Sequence, residues 1–429
     1  MSSFIFSVVM QSNLVDFSQS WVASWTASAQ GPYPIGNPSA QPDLRFAFPE
    51  AEGGASDQSF RMIVRPDVWG RRARFRLSNV FGTKAVTFDG VYVGLQQSGS
   101  AVMTGTNVPV TFGGRRSVAV AAGEMVMSDA VSLAWADGSP WLSGRKLAVS
   151  FHVSGDSGRV TWHAKALTTS YLSAPGAVSR GAEEDEGAFP FSTTSWYFLD
   201  EVDMAVPGAK TVVALGDSLT DGTGSTLNGD DRWPDVLSRR VHAAFPDRYS
   251  VVNAGIGGNR VIGPDDYGAN PIPGGPSALD RLERDVAGLP NLGVVIWLEG
   301  TNDIGRVGVG PAKVVEAIRN GVALLRARCS SVRVFGATLP PSLNSPHVSF
   351  GTAAVDESRR AFNALVMSAD FFDGVIDFAT VMTDPLTGEL KALYQPNTTI
   401  GGPGDKLHPN RVGYIAMGAA IDLAQVLGR

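Results

Sequence analysis

Five short apolar runs that alternate with helical patterns constrain the fold of this 429-residue chain more than any other feature. The runs are the predicted strands of the second half: Thr211–Leu215, Tyr249–Val252, Val294–Leu298, Val332–Phe335 and Val375–Phe378. Helical spacing of apolar residues marks five further stretches: Trp233–Ala244, Ala278–Val286, Ala312–Arg328, Ala353–Met367 and Val412–Leu427. Strands that alternate with helices are typical of a parallel sheet with helices on both faces. Residues 206–429 are therefore predicted to form an α/β domain.

The first half of the chain has a different pattern, in which polar and apolar residues alternate with a period of two. Arg72–Ser78, Val86–Val93 and Lys146–Val153 show it, and glycine-containing turn signals separate them. Short alternating strands at this spacing are typical of a sandwich or jelly roll. Residues 1–205 are therefore predicted to be a β-rich accessory domain, with the boundary near Gly181–Lys210.

Polar clusters follow the predicted strands of the second half where the chain leaves the sheet. Gly216–Gly222, Asn253–Arg260 and Glu299–Asp303 follow the first three strands, and Asp405–Pro409 precedes the last helical pattern. Ligands of open parallel sheets bind beyond the carboxyl ends of the strands. The four clusters are therefore predicted to meet at one rim of the sheet and to form a site there.

These clusters contain the groups that acyl transfer to a serine requires: a nucleophile, a base, a group that orients the base and oxyanion donors. Ser218 lies on a strand-to-helix turn, and the imidazole of His408 can accept its proton near neutral pH. Asp405 can hold the other ring nitrogen of that histidine. The Ser218 N–H, the Gly258 N–H and the Asn302 side-chain amide are the candidate oxyanion donors.

Together the four clusters resemble the sequence blocks of the SGNH/GDSL hydrolases, which carry Ser, Gly, Asn and His in this order. Here the blocks are GDSLTDG with Ser218, NAGIGGNR with Gly258, EGTND with Asn302 and DKLHP with His408. The resemblance covers the chain from about residue 210 onward. It implies a flavodoxin-like sheet of five parallel strands and serine-dependent ester hydrolysis. Only the family block favours Gly258 over the neighbouring Gly257, which is a competing oxyanion donor.

The β-rich half resembles the segment that precedes the hydrolase domain in XynE-like acylhydrolases. Trp21–Gln30 (WVASWTASAQ) and Arg74–Gly82 (RFRLSNVFG) carry this similarity. The resemblance implies a carboxylic-ester hydrolase for small acyl groups, which includes deacetylation of carbohydrates. The alternatives are a transacylase with the same triad and a glycan-binding protein with a degenerate hydrolase domain.

Other polar and aromatic residues have structural interpretations that are preferred to functional ones. Asp217 is predicted to hydrogen-bond the turn beside the nucleophile, Asp303 to cap the following segment, and His347 is a possible cleft residue. For five tryptophans, packing in the core or between domains is preferred to a role as a sugar-binding platform: Trp21, Trp25, Trp141, Trp162 and Trp196. Three loops are expected to define the substrate pocket: Ile262–Pro276, Pro340–Gly351 and Tyr394–Gly404.

The resemblance implies a small-molecule or carbohydrate ester as the substrate, and the composition argues against other kinds of partner. The 35 basic and 41 acidic residues give a net charge of −6, which argues against nucleic-acid binding. The single cysteine, Cys329, excludes an intrachain disulfide, and no metal-ligand spacing or cofactor motif predicts a metal or a cofactor. The apolar stretch Phe4–Met10 lacks the basic residues of a secretory signal, so a cytoplasmic location is expected. No apolar run is long enough to predict a membrane span.

Overall fold

The computed structural model describes residues 20–50, 53–396 and 402–428, and the structural statements that follow refer to these ranges. The stretch Phe4–Met10 and part of the loop Tyr394–Gly404 lie outside them.

The first half is built from antiparallel strands, which agrees with the period-two alternation of its sequence. They are β1 (Trp21–Thr26), β2 (Gly31–Pro32), β3 (Ser56–Val64), β4 (Arg72–Ser78), β5 (Val86–Ser98), β6 (Ala101–Val102), β7 (Val108–Pro109), β8 (Val118–Val120), β9 (Met125–Met127), β10 (Val131–Ser132), β11 (Leu147–Asp156), β12 (Thr161–His163), β13 (Ser170–Leu172), β14 (Phe191–Thr193), β15 (Trp196–Tyr197) and β16 (Leu199–Ala205). Short 3₁₀ turns lie at Pro140–Leu142 and Glu186–Ala188.

These strands form three sheets around a shared hydrophobic cluster. The strand orders are β1-β16-β4-β10, with β9 paired to β4, then β14-β13-β3-β11-β5-β6, with β7 and β8 paired to β5, and finally β15-β12-β2. Along β4 the side chains of Ala73, Phe75 and Leu77 are buried in the cluster, because alternate residues of a strand point to the same face.

The second half contains a five-stranded parallel sheet in the order β18-β17-β19-β20-β21. Its strands are β17 (Lys210–Gly216), β18 (Tyr249–Gly255), β19 (Leu292–Leu298), β20 (Arg333–Ala337) and β21 (Gly374–Ile376). The chain turns from β17 to β18 on one side and later crosses to β19 on the other. The carboxyl end of β17 is therefore the topological switch point, where this kind of sheet binds ligands.

Helices connect and cover these strands. They are α1 (Ser218–Asp221), α2 (Trp233–Ala244), α3 (Ala278–Leu282), α4 (Pro311–Arg328), α5 (Ala353–Met367), α6 (Phe378–Met382), α7 (Arg411–Ala420) and α8 (Leu423–Leu427). Two π-helical turns, Glu283–Ala287 and Asp303–Val307, and a 3₁₀ turn, Ala392–Tyr394, complete the set in the described residues. Every residue of β19 is buried, as its uninterrupted apolar run predicts.

Two of the predicted helices differ from the structure. The stretch Val412–Leu427 is two helices, because the Asp422 side chain accepts hydrogen bonds from the Ala424 and Gln425 N–H groups and starts a new helix there. The stretch Ala278–Val286 changes at Glu283 from an α-helix to a π-helical turn. Neither change disturbs the spacing of apolar residues, so the pattern alone could not indicate them.

The two halves are joined by residues 206–209 and packed together along β1. Ala23 belongs to the hydrophobic cluster of the parallel sheet, and its N–H donates to Thr211 Oγ1 at 3.2 Å. Thr26 Oγ1 donates to the Asn253 carbonyl at 2.9 Å, at the carboxyl end of β18. The predicted boundary at residue 205 falls in this connection, while the division into two domains stays a prediction.

Asp67 of the β-rich half makes a second set of contacts with the α/β half. One carboxylate oxygen lies 2.9 Å from His242 Nε2 and accepts from the Val251 N–H at 2.6 Å. The other accepts a hydrogen bond from Ser238 Oγ. One buried carboxylate thus holds helix α2 and strand β18 to the β-rich half.

Candidate active site

Ser218, His408 and Asp405 form a continuous hydrogen-bonded chain at the carboxyl end of β17. Ser218 is the first residue of α1, and its Oγ lies 2.8 Å from His408 Nε2. His408 Nδ1 lies 2.6 Å from Asp405 Oδ2. Ser218 and His408 are 190 residues apart in the sequence, and the structure brings them together with Asp405. Their arrangement is the one that a nucleophile, a base and an orienting carboxylate require.

The carboxylate of Asp405 is held in place from both sides. Its Oδ1 accepts hydrogen bonds from the Leu407 N–H at 3.0 Å and the His408 N–H at 2.8 Å. Burial opposes ionisation of this group, but the hydrogen bond and the charge of the His408 ring outweigh it and lower the pKa of Asp405. Asp405 is therefore ionised at neutral pH and keeps Nδ1 of the imidazole protonated, which leaves Nε2 free to accept a proton from Ser218.

The candidate oxyanion donors lie around the same pocket. The Gly257 N–H donates to Asp221 Oδ2 at 2.8 Å, so it is not free to bind a substrate. The N–H groups of Ser218 and Gly258 have no hydrogen-bond partner among the described residues. Gly258 has a φ of +85°, a conformation that favours glycine. The structure therefore favours Gly258 over Gly257, a choice that the residues alone left open.

The side-chain amide of Asn302 is the third candidate oxyanion donor. Its Nδ2 donates to the Asn259 carbonyl at 2.9 Å and lies 3.4 Å from Asp217 Oδ2, a long contact. The two amide N–H groups thus have acceptors in this structure, the second of them distant, and Asn302 also lines the pocket.

Two buried carboxylates support the strand ends around the triad. Asp217 accepts from the Leu219 N–H at 2.9 Å, which confirms the prediction that it stabilises the turn beside the nucleophile. Asp303 does not cap the following segment as predicted. Its carboxylate accepts from the Val261 and Ile262 N–H groups at 2.9 and 3.0 Å and so ties the neighbouring loop to the end of β19. Burial raises the pKa of Asp217 to about 7 and that of Asp303 to about 6.

A pocket with a cavity volume of about 90 Å³ opens beside Ser218. Its lining comes from both halves of the chain: Asn37, Lys165, Ser218, Gly257, Gly258, Thr301, Asn302, Arg306, His347, Phe350, Leu407 and His408. Of the three predicted pocket loops, only Pro340–Gly351 contributes to it, through His347 and Phe350. The prediction for Ile262–Pro276 is wrong, because Tyr267 OH and Pro273 O of this loop bind Gln30 of the β-rich half instead. The described part of Tyr394–Gly404 does not line the pocket either.

Lys165 and Asn37 are site residues that the sequence did not indicate. Lys165 is only 6% exposed, and its Nζ donates to Thr223 Oγ1 at 2.6 Å. His163, two residues earlier, has Nδ1 2.8 Å from the Ser28 carbonyl and Nε2 3.1 Å from Asp221 Oδ1. Lys165 and Asn37 both lie in the β-rich half. The alternation of residues that predicts strands there gives no indication of contacts with a distant sheet.

Arg281 was also not indicated by the sequence, and its side chain forms hydrogen bonds to the ends of two strands. It is fully buried and donates to the carbonyls of Gly216 and Ala254 at 3.1 and 2.7 Å, and to Asn259 Oδ1 at 2.8 Å. One guanidinium thus joins the carboxyl ends of β17 and β18 to the loop that carries the oxyanion glycine. Its place inside a helical pattern gave no indication of this role.

The tryptophans give little support to a sugar-binding platform. Trp25, Trp162 and Trp196 are buried, as the core-packing interpretation predicted, whereas Trp141 is exposed. Among the described residues, no group of His, Cys, Asp and Glu could hold a metal ion. In the same ranges, no helix is both long and apolar enough to cross a bilayer.

Comparisons with known proteins agree with the geometry of the α/β half. Residues 214–416 match the model of the GDSL-like Lipase/Acylhydrolase family. No curated protein matches the chain significantly.

Several solved structures are similar to about half of the chain. A carbohydrate acetylesterase family member from Sinorhizobium meliloti is 21% identical, over 49% of this chain and 94% of that one, with a TM-score of 0.38. The M. smegmatis aryl esterase is also 21% identical, over 49% of this chain and 96% of that one, with a TM-score of 0.37. A GDSL-like lipase from Bacteroides thetaiotaomicron is 21% identical, over 50% of this chain and 87% of that one, with a TM-score of 0.35.

The family match runs from within β17 to within α7, so it includes Ser218, Gly258, Asn302 and His408. The chain therefore carries a domain of the GDSL-like lipase/acylhydrolase family, a family of esterases and acylhydrolases.

Proposed function

We propose that this protein is a carboxylic-ester hydrolase that acts through a serine acyl-enzyme on small, acetyl-like acyl groups. The observation that carries the proposal is the hydrogen-bonded chain Ser218–His408–Asp405, with contacts of 2.8 and 2.6 Å, beside an open pocket. The resemblance of the first half to XynE-like acylhydrolases favours acetylated carbohydrates among the possible substrates.

The proposed mechanism begins with proton transfer from Ser218 Oγ to His408 Nε2 as Oγ attacks the ester carbonyl carbon. Asp405 stays ionised and stabilises the imidazolium that forms. The negative charge that develops on the carbonyl oxygen is stabilised by the N–H groups of Ser218 and Gly258 and the amide of Asn302. The imidazolium then protonates the departing alcohol, and a water activated by the same ring hydrolyses the acyl-enzyme.

The size of the pocket supports a small acyl group. Its volume of about 90 Å³ is well below that of the roughly 150 Å³ cavity that holds a benzene molecule. An acetyl group fits such a space beside the nucleophile, while a long acyl chain would have to extend beyond it.

A fluorophosphonate probe tests the nucleophile directly, because an activated serine attacks phosphorus as it attacks a carbonyl carbon. We expect one adduct, on the peptide that contains Gly216–Gly222, together with turnover of 4-nitrophenyl acetate. Ser218→Ala should abolish both, and the control Ser368→Ala, in an exposed serine after α5, should change neither.

An adduct at another residue, or ester cleavage that persists in Ser218→Ala, would contradict the proposal. Turnover that requires an added alcohol would indicate the alternative function, acyl transfer with the same triad.

A further inference from the structure

The β-rich half places a cationic side chain in the pocket of the α/β half. Lys165 lines the pocket with Ser218 and Gly258, and its Nζ lies 3.0 Å from the position that a Cβ would take at Gly257. The ammonium group therefore lies directly beside the glycine pair that carries the candidate oxyanion donor. The lysine comes from the segment that follows β12, so the second half alone could not form this part of the pocket.

The hydrogen bonds of Lys165 leave part of the ammonium group available. An ammonium has three N–H donors, and the described residues supply one short acceptor, Thr223 Oγ1 at 2.6 Å. The nearby carboxylate of Asp221 already accepts from the Gly257 N–H and lies within hydrogen-bond distance of His163. The hydrogen bond to Thr223 alone does not require the ammonium group to line the pocket, as it does here.

The pocket lining differs in its charged side chains from the whole chain, although the carboxylates of Asp221, Asp405 and Asp217 lie close behind it. The protein has a net charge of −6, yet the pocket lining contains Lys165 and Arg306 and no carboxylate. Arg306 is exposed, and its guanidinium lies 6.0 Å from the centre of the Phe350 ring. Asn37, also from the β-rich half, adds an uncharged amide to the lining. Such a lining attracts anions.

We propose that the substrate carries a carboxylate close to the scissile ester, and that Lys165 and Arg306 bind this carboxylate. The inference rests on the proposed ester hydrolysis and names the substrate class for the same site. Lys165 and Arg306 act as specificity-determining residues and take no part in the proton transfers.

The electrostatic surroundings of Lys165 disfavour its charged form while the pocket holds no anion. Burial lowers the pKa of its ammonium group, and the carboxylates of Asp221, Asp405 and Asp217 counteract part of that effect. A bound anion would favour the charged form of the lysine further, because an opposite charge nearby stabilises an ion. The desolvated position also makes each hydrogen bond from the lysine to an anion stronger than it would be at the surface.

Two pairs of esters test the proposal and locate the anion. In the first pair, 4-acetoxybenzoate carries the carboxylate on the alcohol part, and its methyl ester is the neutral counterpart. In the second pair, monophenyl succinate carries the carboxylate on the acyl part, and phenyl butyrate is the neutral counterpart. The measured quantity is the ratio of kcat/KM for the anionic ester to that for the neutral one, after subtraction of the uncatalysed rate.

We expect Lys165→Met to lower this ratio about tenfold or more in one of the pairs, as for loss of a buried charge-assisted hydrogen bond. Arg306→Gln should lower it about two- to fivefold, because the guanidinium is exposed. The control Lys313→Met removes the same charge from an exposed position on α4 and should leave the ratio unchanged. Added salt should reduce kcat/KM for the anionic ester more than for the neutral one.

An unchanged ratio in both pairs, for Lys165→Met and Arg306→Gln alike, would overturn the inference. If Lys165→Met does not fold, Arg306→Gln decides alone, because its side chain is exposed. Wild-type turnover of the neutral esters with no effect of these variants on the ratio would overturn the inference but not ester hydrolysis. Absence of both neutral-ester turnover and fluorophosphonate labelling would overturn both.

Discussion

The buried carboxyl group of Glu299 makes the free energy of unfolding depend on pH. Its replacement by glutamine tests the size of that effect. The residue follows β19 and is 1% exposed. Its Oε2 accepts from Trp297 Nε1 at 2.9 Å, whereas Oε1 has no hydrogen-bond partner in the described structure. Burial raises the pKa of Glu299 to about 8, Arg281 counteracts part of this, and Asp217 and Asp303 add to it.

The sign of the effect follows from the two protonation states. Between the ordinary pKa of 4.5 and about 8, the folded protein retains a proton that the unfolded chain has released. The free energy of unfolding therefore falls as the pH rises through this window, and the contribution of Glu299 is fully present only below it. The interval corresponds to about 5 kcal/mol at most, at about 1.4 kcal/mol for each pH unit.

Urea unfolding of the wild type and of Glu299→Gln at several pH values between 5 and 8 measures this contribution. A neutral amide resembles the protonated acid, so we expect the variant to lose less stability than the wild type as the pH rises, although Asp217 and Asp303 still contribute a loss of the same sign. Glu357→Gln, at an exposed position on α5, is the control and should follow the wild-type curve. Parallel curves for Glu299→Gln and the wild type would refute the argument that Glu299 is protonated in the folded state.

Four further substitutions test the site and the contact between the halves. Ser218→Ala and His408→Ala should each remove nearly all 4-nitrophenyl acetate hydrolysis, and the double variant should be little worse than either, because triad members act as a unit; additive losses would contradict the pairing. Asn302→Ala should lower kcat about 100-fold with a smaller change in KM, as for loss of an oxyanion donor, and an effect on KM alone would mean ground-state binding. Asp67→Ala should reduce stability by about 1–3 kcal/mol, because it leaves buried donors unpaired, and an unchanged thermal midpoint would show that this contact does not stabilise the folded chain.

The parts of the structure that the sequence predicted are those with local signals. The strand β19 is buried on both faces, so its residues form an uninterrupted apolar run, and helices α2 and α5 match their predicted bounds. The position of Ser218 was also predictable, because it lies in a short block directly after β17, at the carboxyl end of a parallel strand. His408 lies in the loop before α7 and follows no strand, and the catalytic roles of both residues stay predictions.

The parts that escaped prediction depend on contacts between distant segments. Of the two candidate oxyanion glycines, Gly257 has its N–H bound to the carboxylate of Asp221, whereas the N–H of Gly258 has no partner among the described residues. The contact of Asp303 with the backbone of Val261 depends on how the loop after β18 passes β17 to reach the end of β19. No periodicity or capping pattern within either segment carries that information.

The β-rich half is part of the reason that the site has its present shape. His163 on β12 lies 3.1 Å from Asp221 Oδ1, and Asp221 Oδ2 accepts from the Gly257 N–H. The carboxylate that binds the Gly257 N–H is therefore also in contact with the first half of the chain. Lys165, two residues after His163, lies against the same glycine. The contacts of the Gly257–Gly258 loop and the cation beside it thus both involve one short stretch of a half that contributes none of the candidate triad residues.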